Sequence, residues 1–189
     1  MMELLVAGLI LFFGTHLIPS IPGMKSALTN IVGVKGYRPV FALLSLAGLV
    51  LIVLGYQERP TQILHKWYAP HWARHLMMLA MLVAFILLPA AHMKTNIKRY
   101  TRHPMLWGIA IWSGMHLWLN GDHASILLFG SFLAYSLFAM FIGNVRGAKK
   151  QTKKVPFKND IIVVVAGGVA YIAVAFSHQW IAGVSIMGG

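Results

Sequence analysis

The stretch P-V-F-A-L-L-S-L-A-G-L-V-L-I-V-L-G-Y-Q, residues 39–57, decides the fold class. It runs for nineteen residues without a charged side chain. A helix needs about 20 apolar residues to cross a bilayer core of roughly 30 Å. Working outward, further runs of this kind occur at 3–22, 72–91, 104–120, 124–144 and 160–184. The junctions carry turn residues: Pro19, Pro22 and Gly23, then Pro39, Pro60, Pro70, Pro104, Gly121-Asp122 and Pro156. The chain therefore reads as all-α, a polytopic transmembrane helical bundle of about six spans, forming a single domain over residues 1–189. The fourth run is short and its link to the fifth is tight, which predicts an antiparallel helical hairpin. The first run carries Glu3 instead of a basic flank and has no small-residue cleavage pattern, so it reads as a retained span and not a signal peptide.

Composition supports this class. Of 189 residues, 58% are hydrophobic and 11% charged, against about a quarter charged in an ordinary soluble domain. The absence of cysteine excludes disulfides, iron–sulfur clusters and thiolate ligation. Four acids, Glu3, Glu58, Asp122 and Asp160, leave little for paired-carboxylate hydrolysis or carboxylate-held magnesium. No phosphate-cradling or dinucleotide fingerprint occurs. A transporter finds no internal repeat and no intramembrane carboxylate.

The net charge of +12 reads as a topology signal. Lys25, Lys35 and Arg38 fall in the first expected loop, Lys94, Lys98, Arg99 and Arg102 in the third. Arg146, Lys149, Lys150, Lys153, Lys154 and Lys158 fall in the fifth. Only Arg59, Lys66 and Arg74 face the other way. The positive-inside rule then puts the three basic loops in the cytoplasm and both termini outside, in a bacterial cytoplasmic membrane. No polar domain exists to carry a nucleic-acid surface, so no nucleic-acid partner is expected. The partner is the lipid bilayer, with the 146–158 cluster near anionic headgroups.

Nine histidines are the remaining chemical resource, and histidines within spans are functional candidates. His16 lies in G-T-H-L-I-P, late in the first run. His71 and His75 share a helix face at the start of the third run, and His92 ends it. His103 opens the fourth run in R-H-P-M-L-W-G, where Pro104 suits a first helical turn. His116 stands near that run's far end, and Ser113, His116 and Asn120 form a polar stripe beside Trp107, Trp112 and Trp118. Such a stripe should face the bundle, and two readings stand: a hydrogen-bonded packing residue with Asn120 and Asp122 capping the turn, or a ligand. His65, His123 and His178 read as interfacial. The eleven methionines, Met77, Met78 and Met81 among them, read as packing residues and not copper ligands. The glycines at 108, 114, 167 and 168 read as close-approach points between helices.

Two neutral imidazoles facing an apolar gap suit a haem iron, and a basic rim would take the propionates. His16, His75 and His116 are the candidates for that pair, with His116 common to each choice.

The blocks G-L-I-L-F-F-G-T-H-L-I-P-S near the start, G-Y-R-P-V-F-A-L-L-S-L-A-G-L-V-L-I-V-L-G-Y at 36–56, and R-H-P-M-L-W-G-I-A-I-W-S-G-M-H-L-W-L-N-G-D at 102–122 resemble the NnrU family. This family comprises small bacterial integral membrane proteins associated with nitrogen-oxide reduction. It includes the plant-type 15-cis-zeta-carotene isomerase, a b-type haem membrane enzyme. The resemblance implies haem b, with His16 and His116 as metal ligands. Beside that pair, His75, Ser113, Asn120, Arg102 and His103 are candidate cofactor-contacting residues, read from their place on the spans and not from the family. The isomerase carries a cysteine where this chain has Ser113, which cannot serve as a sulfur ligand.

Three functions stand at this point. The first is a haem-dependent cis–trans isomerase of a hydrophobic polyene. The second is an accessory or electron-carrying partner of a membrane nitrite or nitric oxide reductase. The third is a methyltransferase, since R-H-P-M-L-W-G is similar to the S-adenosylmethionine-binding element of isoprenylcysteine carboxyl methyltransferases. Trp107 replaces the usual tyrosine there, and the acidic pair those enzymes carry is missing.

Overall fold

A computed structural model describes residues 2–58, 66–184 and 186. Expectations for Arg59, Pro60 and His65 lie outside the described residues. Six α-helices follow one another: α1 (Met2–Leu17), α2 (Met24–Gln57), α3 (Ala73–His92), α4 (Pro104–Leu119), α5 (His123–Val145) and α6 (Phe157–Ala182). Single 3₁₀ turns occupy Ile18–Ser20 and Asn96–Arg99. Among the described residues there is no strand, and one isolated bridge joins Tyr68 to Asn120.

Among the described residues five segments are long and apolar enough to cross a membrane, α1 with its 3₁₀ turn, α2, α3, α5 and α6. Helix α4 has sixteen residues and rises only about 24 Å, so its short apolar run is short in space too. The chain divides into two compact units, residues 1–63 and 64–189.

In the first unit α1 and α2 pack antiparallel. A Cβ on Gly8 would lie 2.6 Å from the Ile52 nitrogen, and one on Gly48 2.8 Å from the Phe12 nitrogen. A Cβ on Gly55 would collide with Leu5. Three glycines thus bring the backbones together, the way helices associate where no water drives them. The first basic loop departs from expectation. Lys25, Lys35 and Arg38 lie on α2, which starts at Met24 and passes through Pro39. The helix breaks at Gly33, whose φ of 78° and ψ of 158° are open to glycine. That break, and not Pro39, interrupts the helical path.

The second unit is an up-and-down bundle in which α3 packs between α4 and α6, and α5 packs on α4. The expected α4–α5 hairpin is present. His103 sits against Gly143, and Trp112 contacts Phe129 and Phe132 at 5.2 and 5.4 Å between ring centres. Gly108 lets α4 approach the Ala84 carbonyl, and Gly167 lets α6 approach the Ile86 backbone, with Cβ positions at 2.9 and 2.6 Å. Gly114 and Gly168 face open space, so the expected close approach does not occur at those two. Met81 and Met140 are buried packing residues. The outer face of α6 exposes Ile161, Ile162, Val165, Val169, Ile172 and Phe176, an apolar surface that suits lipid and not water.

Two polar locks fix the ends of this unit. Asp122 is buried at the N-cap of α5 and accepts from the Ser125 amide (3.0 Å) and hydroxyl (2.5 Å). At the other end the Asp160 carboxylate accepts from the Thr95 hydroxyl (2.5 Å), the Asn96 amide (2.7 Å) and Asn96 Nδ2 (2.7 Å). Asn96 also exchanges two bonds with the Val155 backbone. The start of α6 is thereby tied to the segment leaving α3.

Candidate functional site

Each histidine is defined by what its Nδ1 does. Near the end of α4, His116 Nδ1 lies 2.8 Å from the Trp112 carbonyl, one turn back. A carbonyl only accepts, so Nδ1 carries the hydrogen and the neutral ring presents its lone pair on Nε2. This is the tautomer a metal ligand needs, and the backbone carbonyl fixes the orientation of the ring. Among the described residues Nε2 of His116 has no hydrogen-bond partner.

The walls around His116 are aromatic. Phe129 stacks on the ring at 4.7 Å and Trp112 lies at 5.3 Å. Trp107 and Trp118 do not join them: both are exposed, and Trp118 instead meets Trp72 and accepts the Trp67 indole N–H through its carbonyl.

The polar stripe closes on its own helix. Ser113 is fully buried and its hydroxyl donates to the Ile109 and Ala110 carbonyls at 2.7 and 3.3 Å. Asn120 Nδ2 donates to the His116 carbonyl at 2.8 Å, ending α4, while Asp122 begins α5. Capping by Asn120 and Asp122 is as the sequence suggested. The hydrogen bonds run along α4 and not across helices, because i−4 carbonyls lie within reach of short side chains.

His16 repeats the device in the first unit. Its Nδ1 donates to the Phe12 carbonyl at 2.8 Å, again one turn back, and the neighbouring Thr15 hydroxyl donates to Leu11 at 2.7 Å. Its ring stacks on Phe12 at 4.1 Å and meets Phe41 edge-on at 5.2 Å. Phe41 also borders a cavity of about 240 Å³ with Pro19, Lys25, Tyr37 and Arg38. The Tyr37 hydroxyl is buried there without a hydrogen-bond partner.

His103 has the opposite tautomer. Its Nε2 donates to Asn144 Oδ1 at 3.2 Å, an oxygen that also accepts from Arg102 at 3.1 Å. The ring is spent on joining α4 to α5, in keeping with a helix-start role, and Pro104 is the first residue of α4. His75 is exposed in the first turn of α3, and no ring or hydrogen-bond contact joins it to His116. His71 precedes that helix in a turn, so the expected His71–His75 helical face is not formed as such.

His178 lies near the end of α6, as an interfacial residue would, and its ring also comes close to that of His116. It sits one turn before that end, with its ring 6.5 Å from that of His116 and the planes 25° apart. Its Nδ1 donates to the Val184 carbonyl at 2.8 Å, which gives it the same tautomer as His116. Its only sequence signal was that it falls as deep in the sixth run as His116 does in the fourth.

No curated protein and no solved structure matches the chain. The family model described as NnrU protein matches residues 4–186. Together with the helical membrane bundle and the three sequence blocks, that near-complete match means that the chain belongs to the NnrU family.

Proposed function

We propose that this chain is a membrane protein binding b-type haem, with His116 as its first imidazole ligand. The observation that carries the reading is the His116 tautomer, an Nε2 lone pair held in place by the Trp112 carbonyl and walled by Phe129. His16 offers the same donor in its own unit, and it is the other histidine that the family resemblance implies. For a haem held by His16, the Tyr37 hydroxyl of the same unit, buried and without a hydrogen-bond partner among the described residues, lies with Lys25 and Arg38 and is suited to a propionate carboxylate.

Haem, when bound, would supply one-electron redox chemistry and a Lewis-acidic iron. The chain's own residues orient the imidazoles, supply flat aromatic walls and keep water out. On this basis we assign the protein either to redox-assisted cis–trans isomerisation of an apolar polyene or to support of nitrogen-oxide reduction. A polyene would enter from the lipid, against the apolar outer surface of the helices.

A second ligand set is favoured by one distance. Metal–imidazole bonds of about 2 Å place two ring centres roughly 6 Å apart across an ion, close to the 6.5 Å between His116 and His178. Electron paramagnetic resonance of the loaded protein separates the sets. The His16 reading expects His16→Ala to turn a low-spin signal high-spin and His178→Ala to leave it low-spin. The reverse pattern assigns His178. Turnover of a poly-cis carotenoid by the reduced protein tests the isomerase, and its absence in a haem-loaded sample favours the accessory role.

A further inference from the structure

We propose that the cation-rich end of the second unit contains a binding site for a phosphate group. The site is a cavity of about 270 Å³ whose lining includes Lys98, Arg102, Lys149, Lys150, Thr101 and Gln151. Backbone and side-chain bonds hold the surroundings of each cation in place. Arg102 is steadied by Asn144 at 3.1 Å. The chain leaves α5 through Gly147, at φ 79°, where the Gly147 and Ala148 amides donate to Asn144 and Gly143. That turn directs Lys149 and Lys150 back across the Asn96–Arg99 segment. The Gln151 amide then donates to the Lys98 carbonyl at 3.0 Å, and its side chain donates to Thr95 at 3.3 Å.

Four positive groups around one cavity repel one another, and no carboxylate relieves them. Asp160, the acid at this end, is engaged by Thr95 and Asn96. Asp122 caps the opposite end of α5. Among the described residues none of the four cations has an ion-pair partner. An anion completes such a site. Phosphate suits it because the Arg fork and Lys ammoniums donate to several of its oxygens at once. Thr101 adds a hydroxyl that accepts from the His103 amide at 3.2 Å, leaving its hydrogen for a ligand. The phosphate comes either from an anionic phospholipid headgroup, as basic pockets between membrane helices take, or from free phosphate. Ala91 and Pro104 complete the lining, and Met105, next in sequence to Pro104, is exposed and offers apolar surface to an acyl chain.

Native mass spectrometry of the full chain, offered phosphatidylglycerol or phosphatidylcholine of matched chains, tests the site. The expected result is preferential retention of phosphatidylglycerol, weakened about tenfold or more by K149Q/K150Q, given about 1 kcal/mol per cation near a membrane surface. K153Q/K154Q removes equal charge outside the cavity lining and should change retention less than about twofold. In a second arm, inorganic phosphate is added to detergent-purified protein during thermal unfolding. If phosphate raises the midpoint for the wild type but not for K149Q/K150Q, and neither lipid is preferred, the site stands with free phosphate as its ligand. Equal losses in both charge pairs, or no response in either arm, overturns it.

Discussion

A single proton position separates the histidines of this protein. His16, His116 and His178 donate from Nδ1 to a backbone carbonyl, whereas His103 donates from Nε2 to Asn144. At His116 this leaves Nε2 without a hydrogen-bond partner among the described residues, whereas at His103 Nε2 is the engaged nitrogen. His116→Ala and His16→Ala should therefore each reduce bound haem per protein at least about fivefold. His103→Ala should retain it, with haem content measured by absorption after purification. Equal loss in all three would point to misfolding and remove the assignment. Asp122 makes a separate, structural prediction: Asp122→Ala should lower stability by roughly 1 kcal/mol, the usual worth of an N-cap, read as a lower unfolding midpoint in detergent. His16 and His116 are conspicuous in the sequence because each is a polar ring in an apolar run. His178 stands out as much, but its nearness to His116 depends on how α6 lies against α3 and α4, which no local pattern encodes.

Between helices, small residues decide how closely backbones approach. A side chain at Gly167 must displace the Ile86 backbone, while one at Gly168 meets nothing. Gly167→Val should destabilise the fold by about 1–3 kcal/mol, as overpacking does. Gly168→Ala should be neutral or stabilising, since it replaces a poor helix former without a clash. Thermal loss of helical circular dichroism distinguishes the two. The Asp160 lock predicts a local effect: Asp160→Ala should speed tryptic cleavage at Lys149–Lys154 while the helices remain intact. Most helix limits were legible because apolar run length and capping residues mark them. The start of α2 was not, because the charged, glycine-containing segment at 24–38 resembles a loop. That helical segment has no buried residue and is broken at Gly33, so it carries no apolar stripe for the sequence to show.

For the whole molecule, the lack of cysteine makes topology directly measurable. Single cysteines at positions 153 and 183 should react with a membrane-impermeant thiol reagent from opposite faces, position 153 from the cytoplasmic side. Labelling of both from one side would refute a crossing by α6. Membrane character was plain from composition, as lipid demands long uncharged helices. The chemistry was less so, because imidazoles serve packing, capping and ligation alike, and only their hydrogen-bond geometry separates the roles. The most direct measurement is a paired spectrum of detergent-purified wild type and His116→Ala, oxidised and dithionite-reduced, with haem quantified as its pyridine complex. The wild type should show a Soret band that shifts on reduction, and the variant should lack it. A wild type expressed with ample haem precursor yet showing no Soret band, or a variant with an unchanged one, would contradict haem binding through His116.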